Sequence, residues 1–184
     1  MSQENLPATI TFRIRRLAPR RANQPTWGEY PVAYSPGMTV LDGLWQIKER
    51  VDSTLAWRAS CRMGVCGSCG MFINGRSRLG CNTQIAELGT SVVTVEPLPN
   101  FPIIRDLVPD LRSMFDHHTA LSPFIIRADE DEMNEPTGEF YQSAEEMERY
   151  LQFSYCIKCG CCVAACPTCA TDVTYSGPMA LTQA

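Results

Sequence analysis

The residues best suited to chemistry are cysteines, and the ten cysteines of this 184-residue chain fall into two short segments. The first segment has four, with four, two and eleven residues between neighbours: Cys61, Cys66, Cys69 and Cys81. Thiolates are soft ligands, so a site built only from thiolates selects zinc, Cu(I) or an iron–sulfur cluster. Cysteines this close together cannot connect distant loops, which disfavours a disulfide scaffold. We interpret them as reduced thiolates in a reducing compartment.

The spacing in the first segment favours an iron–sulfur cluster over zinc. C-x4-C-x2-C followed by a distant fourth cysteine is the pattern with which plant-type ferredoxins hold a 2Fe–2S cluster. A four-cysteine zinc site usually has two separate C-x2-C pairs, and this segment has one. Gly64, Gly67 and Gly70 have no Cβ and would let backbone N–H groups approach the sulfurs. We expect an electron-transfer loop here.

The second segment has the pattern C-x2-C-x2-C-x3-C-P of bacterial ferredoxins. Five residues match this pattern: Cys156, Cys159, Cys162, Cys166 and Pro167. Three cysteines of such a run bind one 4Fe–4S cluster, and the fourth binds a different cluster. Cys161 and Cys169 lie outside the pattern, and we expect them to be small buried hydrophobic residues.

Charge divides the chain into two parts. Residues 1–110 carry 12 Lys and Arg against 9 Asp and Glu (+3), whereas residues 111–184 carry 4 against 11 (−7). This asymmetry predicts two modules. Pro97, Pro99 and Pro102 form a stiff connector between them, so we predict domains at residues 1–102 and 103–184.

Targeting signals are not evident in the sequence. Residues 1–12 include Glu4 and lack an apolar h-region, which disfavours a secretory signal peptide. No apolar run approaches the roughly 20 residues that a membrane-spanning helix needs. We therefore expect any membrane contact to come through a partner protein.

The elements around the first cysteine segment are predicted to be strands and one helix. Ala8–Leu17 and Trp27–Ser35 form a hairpin across a basic turn at Arg20–Thr26. Thr39 caps a helix, with Asp42 as its capping-box partner. Shorter strands follow at Met71–Asn74, Ser77–Leu79 and Ser91–Val95. Together with the cysteine loop, this order favours a β-grasp ferredoxin domain.

The second half is predicted to be helical. Ile103–Phe115 has a helical pattern with a break at Pro109. Ser143 and Glu146 form a capping box for a helix that runs to Phe153. A last helix is predicted to begin at Gly177, with Pro178 in its first turn.

The polar residues of the second half have ordinary explanations. The acidic stretch 129–148 holds nine acids and no base, which is typical of a solvated loop followed by an exposed helix face. His117 and His118 are the two histidines of the chain. Adjacent positions of a helix point in different directions, so we expect surface residues rather than a pair of ligands.

With both motifs in place, the chain resembles the iron–sulfur subunits of succinate dehydrogenase and fumarate reductase (respiratory complex II). The resemblance rests on the two cysteine motifs in this order and on shorter matches at Ile73–Gly75, Pro97–Pro99 and Arg105–Leu111. It implies an α+β protein: an N-terminal β-grasp plant-type 2Fe–2S domain, then an all-helical domain of bacterial ferredoxin type.

The resemblance implies that the chain is an electron relay. Electrons would pass from a FAD-containing, succinate-oxidising subunit to quinone at membrane-anchor subunits, without nucleic acid as a partner. The resemblance assigns Cys61, Cys66, Cys69 and Cys81 to a 2Fe–2S cluster, Cys156, Cys159 and Cys162 to a 4Fe–4S cluster, and Cys166 to a 3Fe–4S cluster. It implies a peripheral position on the cytoplasmic face of a bacterial or archaeal inner membrane. No nucleophile–base pair is evident outside the cysteine motifs, so the organic reaction is expected in the partner.

Two features depart from the family pattern. Members that use ubiquinone commonly have tryptophans shortly after the Cys-Pro pair, where this chain has Ala170 and Thr171. We therefore expect a low-potential quinone, with Pro167 as a contact to its pocket. The chain also ends at Ala184 before the family's later cysteines. The 4Fe–4S and 3Fe–4S clusters would need about three further ligands, so we expect the working subunit to be longer.

Three interpretations remain open on the sequence. The same relay would serve a fumarate reductase, because direction depends on potentials and on the quinone. An iron–sulfur subunit of a related dehydrogenase, such as a thiol-coupled fumarate reductase, would differ in its flavoprotein partner. Zinc-stabilised modules without a redox role would contain zinc and no acid-labile sulfide.

Overall fold

The computed structural model describes residues 6–17, 24–124 and 126–184. The protein is a mixed α+β chain, as predicted. Its strands are β1 (Thr9–Arg16), β2 (Thr26–Ala33), β3 (Gly70–Ile73), β4 (Arg76–Leu79), β5 (Val92–Glu96), β6 (Ile103–Arg105) and β7 (Val108–Pro109). Its helices are α1 (Val40–Arg50), α2 (Ile85–Leu88), α3 (Arg112–Ala120), α4 (Glu130–Asn134), α5 (Ala144–Ser154), α6 (Cys161–Ala165), α7 (Pro167–Thr171) and α8 (Gly177–Thr182).

Five strands form one mixed sheet in the order β2-β1-β5-β3-β4. β1 lies antiparallel to β2 and parallel to β5. Alternate residues of β1, Ile10, Phe12 and Ile14, are fully buried, because successive side chains of a strand point to opposite faces. The predicted hairpin is confirmed with slightly shorter strands. Of its predicted turn, residues 20–23 lie outside the described residues.

Helix α1 covers the buried face of the sheet. The Thr39 hydroxyl accepts a hydrogen bond from the Asp42 N–H, and Asp42 accepts one from the Thr39 N–H, so the predicted capping box is confirmed. Burial of an aliphatic side chain such as Leu44 contributes about 1.5–3 kcal/mol. Gly43 lets the helix approach the sheet, because a Cβ there would lie 2.2 Å from the Phe12 ring.

The predicted helix over Ile103–Phe115 is wrong for most of its length. β6 and β7 form a small antiparallel hairpin, and the helix α3 starts at Arg112. Asp106 makes the hairpin turn with a left-handed backbone (φ 45°), which Asp tolerates better than most residues. Its neighbour Leu107 is buried in the same apolar core as the five-stranded sheet. The predicted domain boundary at residue 102 stays a prediction.

A polar network holds this hairpin against the sheet. The buried Asp106 carboxylate accepts hydrogen bonds from Arg16 Nε (3.0 Å) and from the backbone N–H groups of Leu17 (2.9 Å) and Ala56 (3.0 Å). Arg16 also bonds to Tyr30 and forms an ion pair with Asp52. The network therefore joins β1, β2, the segment after α1 and the β6–β7 turn.

A second, smaller core lies among the helices. It contains the connector residues Leu98 and Phe101, Met114 of α3, Val163 and Ala164 of α6 and Met179 of α8. The predicted helices at Ser143 and Gly177 are confirmed, the first with both hydrogen bonds of its capping box. The acidic stretch is exposed, as expected, although it contains the short helix α4, which the sequence did not predict.

Candidate functional site: two cysteine loops

The first cysteine loop connects α1 to β3 and directs backbone N–H groups at its sulfurs. Cys61 Sγ accepts from the N–H groups of Met63 (3.5 Å), Val65 (3.3 Å) and Cys66 (3.3 Å). Gly64 N–H donates to Cys81 Sγ (3.2 Å), as expected for a glycine in this loop. Donors at these positions stabilise negative charge on sulfur, which is what a thiolate ligand carries.

The loop and the short turn after β4, Gly80–Asn82, bring the four cysteines together as two pairs. Cys61 N–H points at Cys66 Sγ (3.5 Å), and Cys81 N–H points at Cys69 Sγ (3.4 Å). Throughout residues 6–17, 24–124 and 126–184, no three Cys, His, Asp or Glu side chains converge to hold a single metal ion. Two pairs suit a two-iron cluster, in which the ligands are divided between two irons. The residues present therefore fit a 2Fe–2S cluster.

The two pairs differ in their surroundings. Cys66 is exposed, and hydrogen bonds from Ser68 and from the Cys61 backbone lower the pKa of its thiol to about 6. Cys69 is buried, and burial raises the pKa of its thiol to about 11. One end of the loop is thus open to solvent or to a partner, and the other end lies in the core.

The second cysteine loop runs from the end of α5 through α6 to α7. Gly160, with φ 79°, precedes Cys161 and Cys162 in the first turn of α6. Cys166 ends that helix, and Pro167 starts the next one. Cys156, Cys159 and Cys166 are half-buried, and Cys162 is exposed.

Cys161 and Cys169, which lie outside the ligand pattern, are half-buried and pack against the second core, in agreement with an apolar role. Each is also hydrogen-bonded to a predicted ligand. The bond between Cys159 and Cys161 lowers the pKa of the Cys159 thiol to about 6 and raises that of Cys161. Cys169 lies beside Cys166, and burial raises the pKa of the Cys169 thiol to about 11.

A side chain from the connector holds the second loop. Asn100 Nδ2 donates to the carbonyl oxygens of Val163 (2.9 Å), Ala164 (3.2 Å) and Cys166 (3.1 Å). The last carbonyls of a helix have no partners within the helix, so this amide supplies partners at the end of α6. Asn100 adopts φ 65°, a left-handed conformation that asparagine tolerates.

The two loops lie against each other. A Cβ on Gly67 would lie 2.7 Å from the Ile157 carbonyl oxygen, and one on Gly70 would lie 2.9 Å from the Cys159 carbonyl oxygen. A cleft of about 350 Å³ beside this contact is lined by Arg58, Cys66 and Lys158, among others. The structure therefore brings the two cysteine motifs together in space, although the sequence separates them.

The histidines are placed differently from the expectation of plain surface residues. His117 and His118 are half-buried on α3. Burial, and secondly the charge of Lys158, lower the pKa of His118. Its Nε2 is buried, and none of the described residues forms a hydrogen bond with it.

Comparison with known proteins agrees with the geometry. The family described as a 2Fe-2S iron-sulfur cluster binding domain matches residues 11–116. The fumarate reductase iron-sulfur subunit of Mycobacterium tuberculosis is 41% identical over 172 residues, which cover 94% of this chain and 69% of that protein. The same subunit of Haemophilus influenzae is 37% identical over 183 residues, covering 95% and 71%. A chain of the Mycobacterium smegmatis Sdh1 complex superposes with a TM-score of 0.82 at 30% identity, covering 93% of this chain and 70% of that chain.

The chain belongs to the family of fumarate reductase and succinate dehydrogenase iron–sulfur subunits. It is an electron-transfer subunit of an oxidoreductase complex of the complex II type, and it is not itself the catalytic subunit. The cofactors expected from the resemblance, 2Fe–2S, 4Fe–4S and 3Fe–4S clusters, are the cofactors of this family. The prediction of iron–sulfur rather than zinc is confirmed.

Sequence reasoning missed several residues that position the site in this subunit. Asn100, Asp106 and the contacts of Gly67 and Gly70 with the second loop were not expected. Asn100 lies between Pro99 and Pro102, and this composition is a turn signal that could have identified it.

Among the described residues, no helix is both long and apolar enough to cross a membrane.

Proposed function

We propose that the subunit carries single electrons between a FAD-containing flavoprotein subunit and quinone at membrane-anchor subunits, as part of a succinate:quinone oxidoreductase. The contact between the two cysteine loops carries this proposal, because a relay needs its centres close together. The curated relatives are named fumarate reductase subunits, and this favours the same relay in the fumarate-reducing direction as the second candidate.

The ligand assignment is part of the proposal. A 2Fe–2S cluster takes Cys61, Cys66, Cys69 and Cys81, a 4Fe–4S cluster takes Cys156, Cys159 and Cys162, and a 3Fe–4S cluster takes Cys166. Such clusters supply one-electron oxidation and reduction when bound. The chain itself supplies the thiolates, the N–H donors to the first set and the amide of Asn100 beside the second set.

The finer architecture is also a proposal. Residues 1–102 would form a β-grasp domain of plant ferredoxin type, which is supported by the mixed sheet with α1 packed on it. Residues 103–184 would form a helical domain of bacterial ferredoxin type. We place the subunit at the cytoplasmic face of the membrane, held there by anchor subunits that contribute quinone contacts near Pro167, which is exposed.

The open end of the first loop is the proposed docking side for the flavoprotein. Met63 and Val65 are 73% and 62% exposed, next to the exposed Cys66. Exposed apolar side chains around a redox loop suit a partner that buries them. Arg62 and Arg76 are exposed as well, and residues 53–86 contain no acid, so the partner surface should be apolar with acidic residues around it.

Electron paramagnetic resonance (EPR) of the purified complex tests this function. Succinate should reduce a 2Fe–2S centre and a second iron–sulfur centre in the subunit, and a quinone should reoxidise both. A complex in which succinate reduces the flavin, while the centres of this subunit stay oxidised on a catalytic timescale, would contradict the proposal.

We expect Arg58 to raise the potential of the first site. It is half-buried and shares a cleft with Cys66, whereas Arg62 and Arg76 are exposed, where salt screens their charge. The first site should titrate above the about −400 mV of plant-type ferredoxins. Arg58→Gln should lower its midpoint by on the order of 60 mV, a tenfold change in a one-electron equilibrium. Arg76→Gln at the exposed turn between β3 and β4 is the control, and equal shifts in both variants would contradict this role.

Replacement of Cys161 and of Cys162, neighbours in α6, should affect iron binding differently. Cys162→Ala should remove iron from the second site, because the variant loses a ligand thiolate. Cys161→Ala should keep that iron and lose only about 1 kcal/mol of stability, since it truncates a small packed side chain. Iron and sulfide analysis together with EPR of the assembled complex checks both. Loss of the second-site signal in Cys161→Ala would reverse the assignment.

The quinone preference is expected to follow from the small residues after Pro167. Ala170 and Thr171 are exposed and leave room where ubiquinone-using members place large aromatic side chains. Steady-state turnover should therefore be faster, with a lower KM, for menaquinone than for ubiquinone. Higher turnover and tighter binding with ubiquinone would contradict the expectation.

A further inference from the structure

The contact between the two cysteine loops is made by glycine backbone. A Cβ added to Gly67 would meet the Ile157 carbonyl oxygen at 2.7 Å and the Cys159 Cα at 2.9 Å. A Cβ added to Gly70 would meet the Cys159 carbonyl oxygen at 2.9 Å. These distances are well inside the 3.5–4.0 Å of an ordinary carbon contact. No side chain fits between the loops at either position without moving one of them.

The contact also joins the residues proposed as ligands. Gly67 follows Cys66 and Gly70 follows Cys69 along the chain, and both face Cys159. The two glycines differ in conformation. Gly67 adopts φ 73°, which favours glycine for its backbone alone, whereas Gly70 has no such requirement. At Gly70 the approach of the second loop is therefore the feature that excludes a side chain.

We propose that Gly67 and Gly70 are positioning residues that set the separation between the two redox sites, and with it the rate of electron transfer between them. The inference rests on the proposed ligand assignment. In each transfer one electron leaves the first site, which is oxidised, and enters the second site, which is reduced, with no bond made or broken. Electronic coupling falls steeply with distance, so displacement of the loops by a methyl group slows this step.

Matched alanine variants in the assembled complex separate this role from simple packing. Gly70→Ala is compared with Gly80→Ala, which lies next to Cys81, has no left-handed backbone, and would meet nothing closer than Met71 Sδ at 3.5 Å. Gly67→Ala is compared with Gly75→Ala, which has the same backbone strain at φ 77° and open space around its Cβ. The readouts are iron content, the magnetic interaction between the reduced centres by EPR, and the rate of reduction of the second site.

In the Gly67→Ala and Gly70→Ala complexes we expect the magnetic interaction to weaken and the second site to be reduced more slowly, with both controls unchanged. Loss of iron from the second site in both variants would show that the glycines serve packing at Cys159, and it overturns the spacing role. Unchanged coupling and rate in both variants overturn it, and so does an equal effect in the controls.

The unmodified complex provides an independent measurement. Spin relaxation of the first site should accelerate when the second site becomes paramagnetic, because the loops are in contact. If the EPR signals of both sites are seen but the spin relaxation of the first site does not accelerate, the spacing role alone is overturned. Absence of the two signals after reduction overturns the proposed ligand assignment, and the spacing role with it.

Discussion

Replacement of Asp106 by alanine should destabilise the subunit by about 3 kcal/mol, the lower end of the cost of breaking a buried ion pair. The Asp106 side chain is 2% exposed and accepts three hydrogen bonds, from Arg16 and from the Leu17 and Ala56 backbones. The variant leaves these donors without an acceptor inside the protein. Arg16 keeps its contact with Asp52, which limits the loss.

Thermal unfolding of the purified complex measures this effect. For a chain of this size the change corresponds to a decrease in Tm of about 6–12 °C. Asp129→Ala is the control, because Asp129 pairs with Arg127 and its own side chain is 50% exposed. An exposed pair contributes about 0–1 kcal/mol. Similar decreases in Tm for the two variants would show that the Asp106 network does not hold the hairpin.

Asn100→Asp should empty the second cysteine site while the first site stays intact. The change keeps the size of the side chain and its tolerance of φ 65°, but an amide that donates to three carbonyl oxygens becomes a carboxylate that faces them. The amide has two hydrogens, which the three carbonyl oxygens share, and their loss costs about 1–3 kcal/mol, before the repulsion between oxygen atoms is counted. The end of α6, which leads into Cys166, should then separate from the connector.

EPR and iron analysis of the complex test this expectation, with Asn74→Asp as the control. Asn74 also has a left-handed backbone (φ 45°), but its Oδ1 accepts a hydrogen bond from Thr94 N–H (2.7 Å). A carboxylate accepts equally well at that position. Retention of the EPR signals of both clusters proposed for the second loop, 4Fe–4S and 3Fe–4S, in Asn100→Asp would show that the amide does not position this loop.

The elements that the sequence predicted correctly depend on local signals. The hairpin of β1 and β2 follows from alternation of apolar and polar residues, and α1 and α5 follow from capping boxes at Thr39 and Ser143. The cysteine loops follow from spacing alone. Each of these signals lies within one short stretch of the chain, within which secondary structure and motif are encoded together.

The errors and omissions depend on contacts between distant residues. Ile103, Leu107 and Leu111 have the spacing of a helical face, yet the turn at Asp106 is stabilised by Arg16, 90 residues earlier. In the sequence, Gly70 is interpreted as part of a cluster loop. In the structure, the position excludes a side chain because the Cys159 carbonyl oxygen lies against it. Local propensity cannot show such partners, because tertiary packing decides them.

The parallel pairing of β1 with β5 affects how the nascent chain folds on the ribosome. Thr11 pairs with Val92, so the first strand lacks this neighbour until 81 further residues have been made. At about 5–20 residues per second, translation leaves the β1 edge unpaired for several seconds, when a chaperone would protect it. Leu107 completes the core of this part, whereas the second cysteine segment begins only at Cys156. The first cysteine loop and the core beside it are therefore complete in the chain before the second cysteine segment is made.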